Sequence, residues 1–218
     1  TWEGLLAAMG LPAPASRAHL AHWLRESVRA SVRRGYHSRD LAAVVMAQGD
    51  VFCVGAGVTQ AVLEVGWRWA GPGSGFADAV AVLYDARGAL LGLVDFSRPA
   101  RPGVRHSGDC VLEERREARQ RVVVDFRAVP EDVAAVIFAV TQWPGGAAQG
   151  EGVQEPWLTV TDQSDRVLCR YDFAASPPVP GRTGVLLCKL HRDRALWKAR
   201  VLGRPCGGHA ADYGPLLD

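Results

Sequence analysis

The stretch Val104 to Phe126, VRHSGDCVLEERREARQRVVVDF, concentrates the residue types that could do chemistry. It opens on His106-Ser107-Gly108-Asp109, a turn of the kind that can hold a cation on oxygen ligands, and closes on a branched apolar run expected to be a buried strand. From Asp109 to Gln120, four carboxylates are interleaved with three arginines, so the field that would draw in a dication is largely cancelled. A guanidinium a few Å from such an ion costs on the order of a few kcal/mol even at the screened dielectric of a protein surface. The same residues are good helix formers. With Glu113 and Arg116 at i, i+3 and Glu117 and Arg121 at i, i+4, they predict a short salt-bridged helical turn.

A second metal pattern lies near the C-terminus, where Cys188-Lys189-Leu190-His191 and Cys206-Gly207-Gly208-His209 make two Cys-x-x-His pairs. Zinc is disfavoured there by geometry: residues three apart on a strand point to opposite faces, so Cys188 and His191 do not converge on one ion. Catalytic signatures are missing as well. The chain has no Gly-x-Ser-x-Gly elbow, no Gly-rich phosphate loop between a strand and a helix, and no marked pair of acids. His106 beside Asp109 reads as a turn residue rather than a general base, and no enzymatic activity is expected.

Composition sets the wider limits. The 218 residues suffice for one large domain, or for one domain plus a smaller appendage, and a net charge of +2 gives no global reason to expect nucleic acid or an anionic membrane as partner. The five cysteines are odd in number and spread out, which favours reduced thiols and a cytoplasmic setting. The longest apolar runs, Leu41 to Ala47 and Val133 to Val140, fall far short of the ~20 residues of a membrane helix. Because the chain begins at Thr1 rather than Met, a removed targeting segment stays open.

Two segments must position these groups. Residues 1–43 read as a helical extension: Ser16 is a natural N-cap, Leu20, Trp23, Leu24, Val28 and Val32 recur at helical spacing, and Gly35 is the stop. A neighbouring face carries Arg25, Arg29 and Arg33, a row that would suit an acidic partner, RNA or lipid headgroups and is otherwise an ordinary solvated face. From residue 44 to 218 the pattern changes to short apolar stretches separated by Gly, Pro and Asp turns. Strands are expected at Val51 to Val54, Ala61 to Trp67, Ala79 to Tyr84, Leu90 to Phe96, Arg121 to Phe126, Val133 to Val140, Trp157 to Thr161, Arg166 to Asp172, Val185 to Leu190 and Trp197 to Leu202. Asp85-Ala86-Arg87-Gly88 and Thr161-Asp162-Gln163-Ser164-Asp165 read as hairpin connections. The fold class this implies is all-β, a two-sheet antiparallel β-sandwich with an N-terminal helical extension.

By Gly66-Trp67, Phe76 to Val80, His106 to Cys110, Val124-Asp125-Phe126 and Gly207-Gly208, taken in that order along the chain, residues 44–218 resemble the tellurium-resistance TerD family. Gly66-Trp67 resembles the family's Gly-Trp-Asp, Phe76-Ala77-Asp78-Ala79-Val80 falls at its Asp-Leu-Asp-Ala-Ser, and His106-Ser107-Gly108-Asp109-Cys110 at its His-Thr-Gly-Asp-Asn. Val124-Asp125-Phe126 with Val129-Pro130, Ile137 to Thr141, Arg170-Tyr171-Asp172, Trp197-Lys198 and Gly207-Gly208 follow in the family's order. The resemblance implies a β-sandwich without enzymatic activity that binds calcium through clustered loop carboxylates in a cytoplasmic stress response. Ca²⁺ needs six to eight oxygens, several of them charged. On this chain the matching ligands are Asp78, Asp109 and Glu114. The family's acid after Gly-Trp is Arg68 here, the first acid of Asp-x-Asp is Phe76, and its asparagine is Cys110, a thiol unsuited to a hard cation.

The function expected from these readings is a non-enzymatic stress-response and interaction domain with a degraded calcium site, no resident cofactor and an unidentified protein partner. Nucleic acid and acidic lipid are disfavoured as partners. The alternative retains low-affinity calcium at Asp78, Asp109 and Glu114.

Overall fold

The computed structural model describes residues 44–55, 57–69, 77–142, 154–173, 183–194, 196–209 and 212–217. The expected helix with Arg25, Arg29 and Arg33, and the whole segment 1–43, lie outside the described residues. Thirteen strands are present among those described. They are β1 (Val44–Val45), β2 (Val51–Cys53), β3 (Gln60–Arg68), β4 (Ala77–Tyr84), β5 (Leu90–Val94), β6 (Ala100–Arg101), β7 (Val104–Leu112), β8 (Glu117–Asp125), β9 (Ala135–Gln142), β10 (Gln154–Asp162), β11 (Val167–Asp172), β12 (Gly184–Asp193) and β13 (Leu196–Cys206). A short helix, α1 (Gly214–Leu217), follows.

The strands form two sheets. One has seven strands in the order β1-β11-β10-β3-β8-β7-β6, the other six in the order β2-β13-β12-β9-β4-β5. All pairings are antiparallel, as expected for this sandwich, except the short parallel pairing of β1 with β11 at one sheet edge. Alternation explains the packing. Ala61, Leu63, Val65 and Trp67 of β3 and Ala118, Val122 and Val124 of β8 join the common core, as do Val136, Phe138 and Val140 of β9 and Leu187, Cys188 and Leu190 of β12. Seven consecutive residues of β4, Ala77 to Leu83, are buried, so this strand is covered on both faces. Its inward side is Ala77, Ala79, Ala81 and Leu83. Its outward side, Val80 and Val82, packs with Ala139, Tyr213, Leu216 and Leu217 beneath the C-terminal segment.

Both expected hairpins form. Asp85 Oδ1 accepts from the Arg87 and Ala89 amides at 2.8 and 2.7 Å, and Asp162 Oδ1 from the Ser164 and Arg166 amides at 2.9 and 3.1 Å. Two expectations are corrected. The His106–Asp109 turn is instead part of a continuous strand, β7, whose register with β8 shifts between His106 and Asp109 at a bulge where Gly108 adopts φ 85°. The helical turn expected from Glu113 to Gln120 shrinks to a 3₁₀ turn, Glu113–Arg115, because β8 begins at Glu117 and pairing with β3 overrides local propensity.

Candidate functional site

At the Glu117 end of β8, one buried amide joins the two sheets. Gln120 lies on the inward side of β8 with Val122 and Val124, and its Oε1 accepts from the Ala79 amide while its Nε2 donates to the Ala77 carbonyl at 3.2 Å. This end of β4 extends past its ladder with β5, which starts at Ala81, so Gln120 satisfies backbone groups that have no strand partner on that side. His106, also buried, sits 3.4 Å from Gln120 Oε1 through Nε2, and the Gly108 amide donates to its Nδ1 at 3.0 Å. With Nδ1 accepting from the Gly108 amide, Nε2 is the ring nitrogen turned toward the Gln120 amide oxygen. His106 is a structural member of the bulge.

Asp78 is 4% exposed and directly opposite Thr141 on β9. It faces outward beneath the C-terminal segment, where the Asp78 and Asp95 carboxylates both act on the Tyr213 phenol. Burial first, then those two carboxylates, push the phenol well above its ordinary value. The Thr141 hydroxyl has no hydrogen-bond partner among the described residues. Asp95 is fully buried and accepts from the Ser97 and Arg98 amides at 3.0 and 2.7 Å, from Ser97 Oγ at 2.8 Å and from Arg98 Nη2 at 2.6 Å. Burial alone would raise this carboxyl, but the hydrogen bonds from Arg98 and Ser97 outweigh it and hold it below the usual range. The Arg98 guanidinium also lies 5.9 Å from the Tyr213 ring centre.

On the outer face of the seven-stranded sheet, arginines take up the carboxylates. Glu117 meets Arg119 at 2.6 Å and Arg68 at 3.7 Å, and Glu64 meets Arg121 at 2.6 Å and Arg119 at 3.6 Å. Arg121 thus pairs across strands to Glu64 and not along the chain to Glu117, because four residues of extended chain carry side chains about 13 Å apart. Trp157 lies on this face over Gly66, where a Cβ would fall 2.0 Å from the indole, and Arg119 sits 5.9 Å from its centroid. The glycine of Gly66-Trp67 is therefore the floor on which Trp157 rests.

The three expected calcium ligands have different surroundings. Asp78 is roofed by the C-terminal segment, Glu114 is exposed on the 3₁₀ turn, and Asp109 is on β7 opposite Gln120, with its side chain outside the described residues. No group of three or more His, Cys, Asp or Glu side chains converges on a possible metal position among the described residues. The described donors therefore do not assemble the six to eight oxygens Ca²⁺ requires. Cys188 is in the core and His191 on the opposite face of β12, as strand geometry predicts. Burial pushes the Cys169 thiol up to about 12 and Cys188 well above its ordinary value, so both are inert core residues. Between the sheets, a small apolar gap lined by Leu63, Val122, Phe138 and Leu187 is far below the roughly 300–1,000 Å³ of a small-molecule site. No helix among the described residues is long and apolar enough to cross a membrane.

Gln120, Asp95 and Tyr213 escape a motif-based reading. Gln120 carries one signal, sharing the strand parity of Val122 and Val124, whereas Asp95 and Tyr213 meet only through tertiary structure.

These features define a two-sheet β-sandwich whose β3, β4 and β7–β8 ends hold the motif positions. The TerD domain family model matches residues 43–212, and the chain belongs to that family. It is 28% identical over 174 residues to the uncharacterized protein YceE of Bacillus subtilis (strain 168), covering 74% of this chain and 89% of that one. It is 26% identical over 137 residues to the tellurium resistance protein TerZ of Serratia marcescens, covering 62% and 68%. Among solved structures, a protein of unknown function, SAV2460, superposes with a TM-score of 0.56 at 20% identity, covering 74% of this chain and 97% of that one. A homologue of telluride resistance protein (TerD), SCO6318 from Streptomyces coelicolor A3(2), does so with 0.53 at 15% identity, covering 74% and 99%. These two likenesses concern the fold.

Proposed function

We propose that residues 44–218 are a non-enzymatic TerD-type interaction domain, acting in a cytoplasmic tellurium- or metal-stress response, whose calcium site is degraded. The observation that carries this reading is the arginine set around Glu117 and Glu64. Arg68, at the position of the family's acid after Gly-Trp, is a cation 3.7 Å from Glu117, and Arg119 approaches both carboxylates. Carboxylates already neutralised by guanidinium groups do not supply the negative potential that offsets dehydration of a dication. The stress-response setting is supported by relatives bearing the name tellurium resistance protein. The absence of catalysis is supported by the missing nucleophile and acid–base signatures.

A second reading keeps weak calcium binding at Asp78, Asp109 and Glu114. It is favoured by the proximity of Asp78 and Asp95 to one phenol, with Arg98 as the guanidinium bonded to Asp95. Thermal melting in a calcium titration separates the two. A native-state ligand at a hundred times its Kd adds about 2.7 kcal/mol, which for a domain of this size is roughly 5–10 °C in Tm. The degraded site predicts a flat response up to millimolar calcium, and a saturable rise lost in Asp78→Asn would establish the second reading.

A further inference from the structure

On β12, Cys188 and Leu190 point into the core, and on β13, Trp197, Ala199 and Val201 do the same. Lys189, His191, Lys198 and Arg200 therefore share the outer face of the six-stranded sheet. The register sets Lys189 opposite Arg200 and His191 opposite Lys198, a block of four nitrogen-bearing side chains. It is about 5 Å across the strands and about 7 Å along them.

Like charges directly opposite destabilise a sheet. Nothing in the core requires the juxtaposition of Lys189 and Arg200, whose strand neighbours do the packing. The one carboxylate acting on His191 is Asp193, which is engaged by Lys198. Burial, then Lys189 and Lys198, hold the imidazole below its ordinary value, with Arg200 adding to the effect and Asp193 opposing it. The rows continue into Ala135 and Ile137 of β9 and Cys53 and Val51 of β2, none of which carries a compensating charge. The C-terminal segment covers Val80, Val82 and Ala139 of this sheet.

We propose that the β12–β13 face docks an acidic, extended polypeptide segment of a partner protein. The recognition chemistry follows from what the face lacks. β12 is hydrogen-bonded to β9 and β13, and β13 to β12 and β2, so no nest of backbone N–H groups is available of the kind that cradles a compact phosphate. What remains are dispersed point charges beside small apolar residues. Carboxylates on alternate residues of an extended chain repeat at about 7 Å, the pitch of Lys189 to His191 and of Lys198 to Arg200. Single-stranded nucleic acid presents a similar charge spacing but is held on aromatic stacking platforms, whereas Ala135, Ile137 and Val51 flank this block. The inference is independent of whether calcium is bound.

The test is fluorescence anisotropy of a labelled dodecapeptide of alternating Glu and Val, with the full chain at low and physiological salt. Lys189→Glu with Arg200→Glu should weaken binding at least about tenfold, as reversing two interfacial charges does. Arg87→Glu with Arg127→Glu, exposed arginines in turns elsewhere, should leave it unchanged. Peptide saturation should also move the His191 titration, followed by histidine NMR, upward, because the ligand's carboxylates offset the neighbouring cations. Wild-type affinity in a folded Lys189/Arg200 variant would overturn the proposal, as would an unmoved His191. So would loss that follows Arg25→Glu/Arg29→Glu/Arg33→Glu instead, or an oligothymidylate that binds the face more tightly than the peptide.

Discussion

At the scale of single residues, Arg192 is a side-chain anchor between two connections of the sandwich. Its Nε donates to the Val133 carbonyl at 3.0 Å and its Nη2 to the Val129 and Pro130 carbonyls at 2.8 and 3.0 Å. Its guanidinium also lies 4.8 Å from the centroid of Trp197, which packs on Phe126 at 5.3 Å. One planar cation thus ties the β8–β9 connection to the end of the β12–β13 hairpin. Arg192→Ala is expected to lower stability by about 2–3 kcal/mol, from charged hydrogen bonds and the ring contact together. Arg192→Lys should recover only part of this, since an ammonium cannot span three carbonyls and stack as a planar guanidinium does. Equilibrium urea unfolding of the three proteins checks both, and equal stability of wild type and Arg192→Lys would show that only the charge matters.

At the scale of elements, the bulge of β7, the start of β8 and the start of β4 are one unit held by Gln120. Gln120→Leu keeps the volume and apolar parity but leaves the Ala79 amide and Ala77 carbonyl without their partner. The expected loss is roughly 1–3 kcal/mol for each group not reached by water. Gln120→Glu retains an acceptor for the amide but has no donor for the carbonyl, so its stability should fall between the other two at neutral pH. Amide hydrogen exchange at Ala79 reads the local effect: protection should drop in the Leu variant and persist in part in the Glu variant. Unchanged protection in Gln120→Leu would mean that the amide is incidental to the junction.

At the scale of the whole molecule, two buried carboxylates make folding depend on acid. Asp95 and Asp162 are both held below the ordinary carboxylate value of 3.8; burial opposes this, but hydrogen bonds from Arg98 and Ser97 in one case and from Ser164 and Arg166 in the other prevail. A depressed folded value contributes stability that is fully present above the unfolded value and is lost as pH falls through the folded one. The domain should therefore be pH-insensitive in this respect above about 5 and lose stability progressively below about 4. Asp95→Asn should cost about 1–3 kcal/mol at pH 7, and its deficit relative to wild type should shrink as both are taken below pH 4. Urea midpoints measured from pH 7 to pH 3 test this, and a deficit constant with pH would assign the cost to lost shape rather than lost charge.

Much of the sandwich was legible in the chain because the signals are local. Short apolar stretches bounded by Gly, Pro and Asp turns marked ten of the strands, and Asp85 and Asp162 followed by glycine or polar residues marked two hairpins, since an Asx side chain closes its own turn. The collinear motifs from Gly66-Trp67 to Gly207-Gly208 placed the chain in its family. What local pattern could not decide was pairing. Whether Glu117 answers Arg121 along a helix or lets it reach Glu64 across a sheet depends on β3, which is fifty residues away. β7 looked like a turn because a bulge glycine and a polar triplet have the same composition as a loop. The burial of Asp78 depends on Tyr213 at the far end of the chain, and the cationic block on β12 and β13 exists only once the register sets Lys189 opposite Arg200. Sequence spacing determines which face of a strand a residue occupies; only the long-range hydrogen-bond ladders determine which residue it meets there.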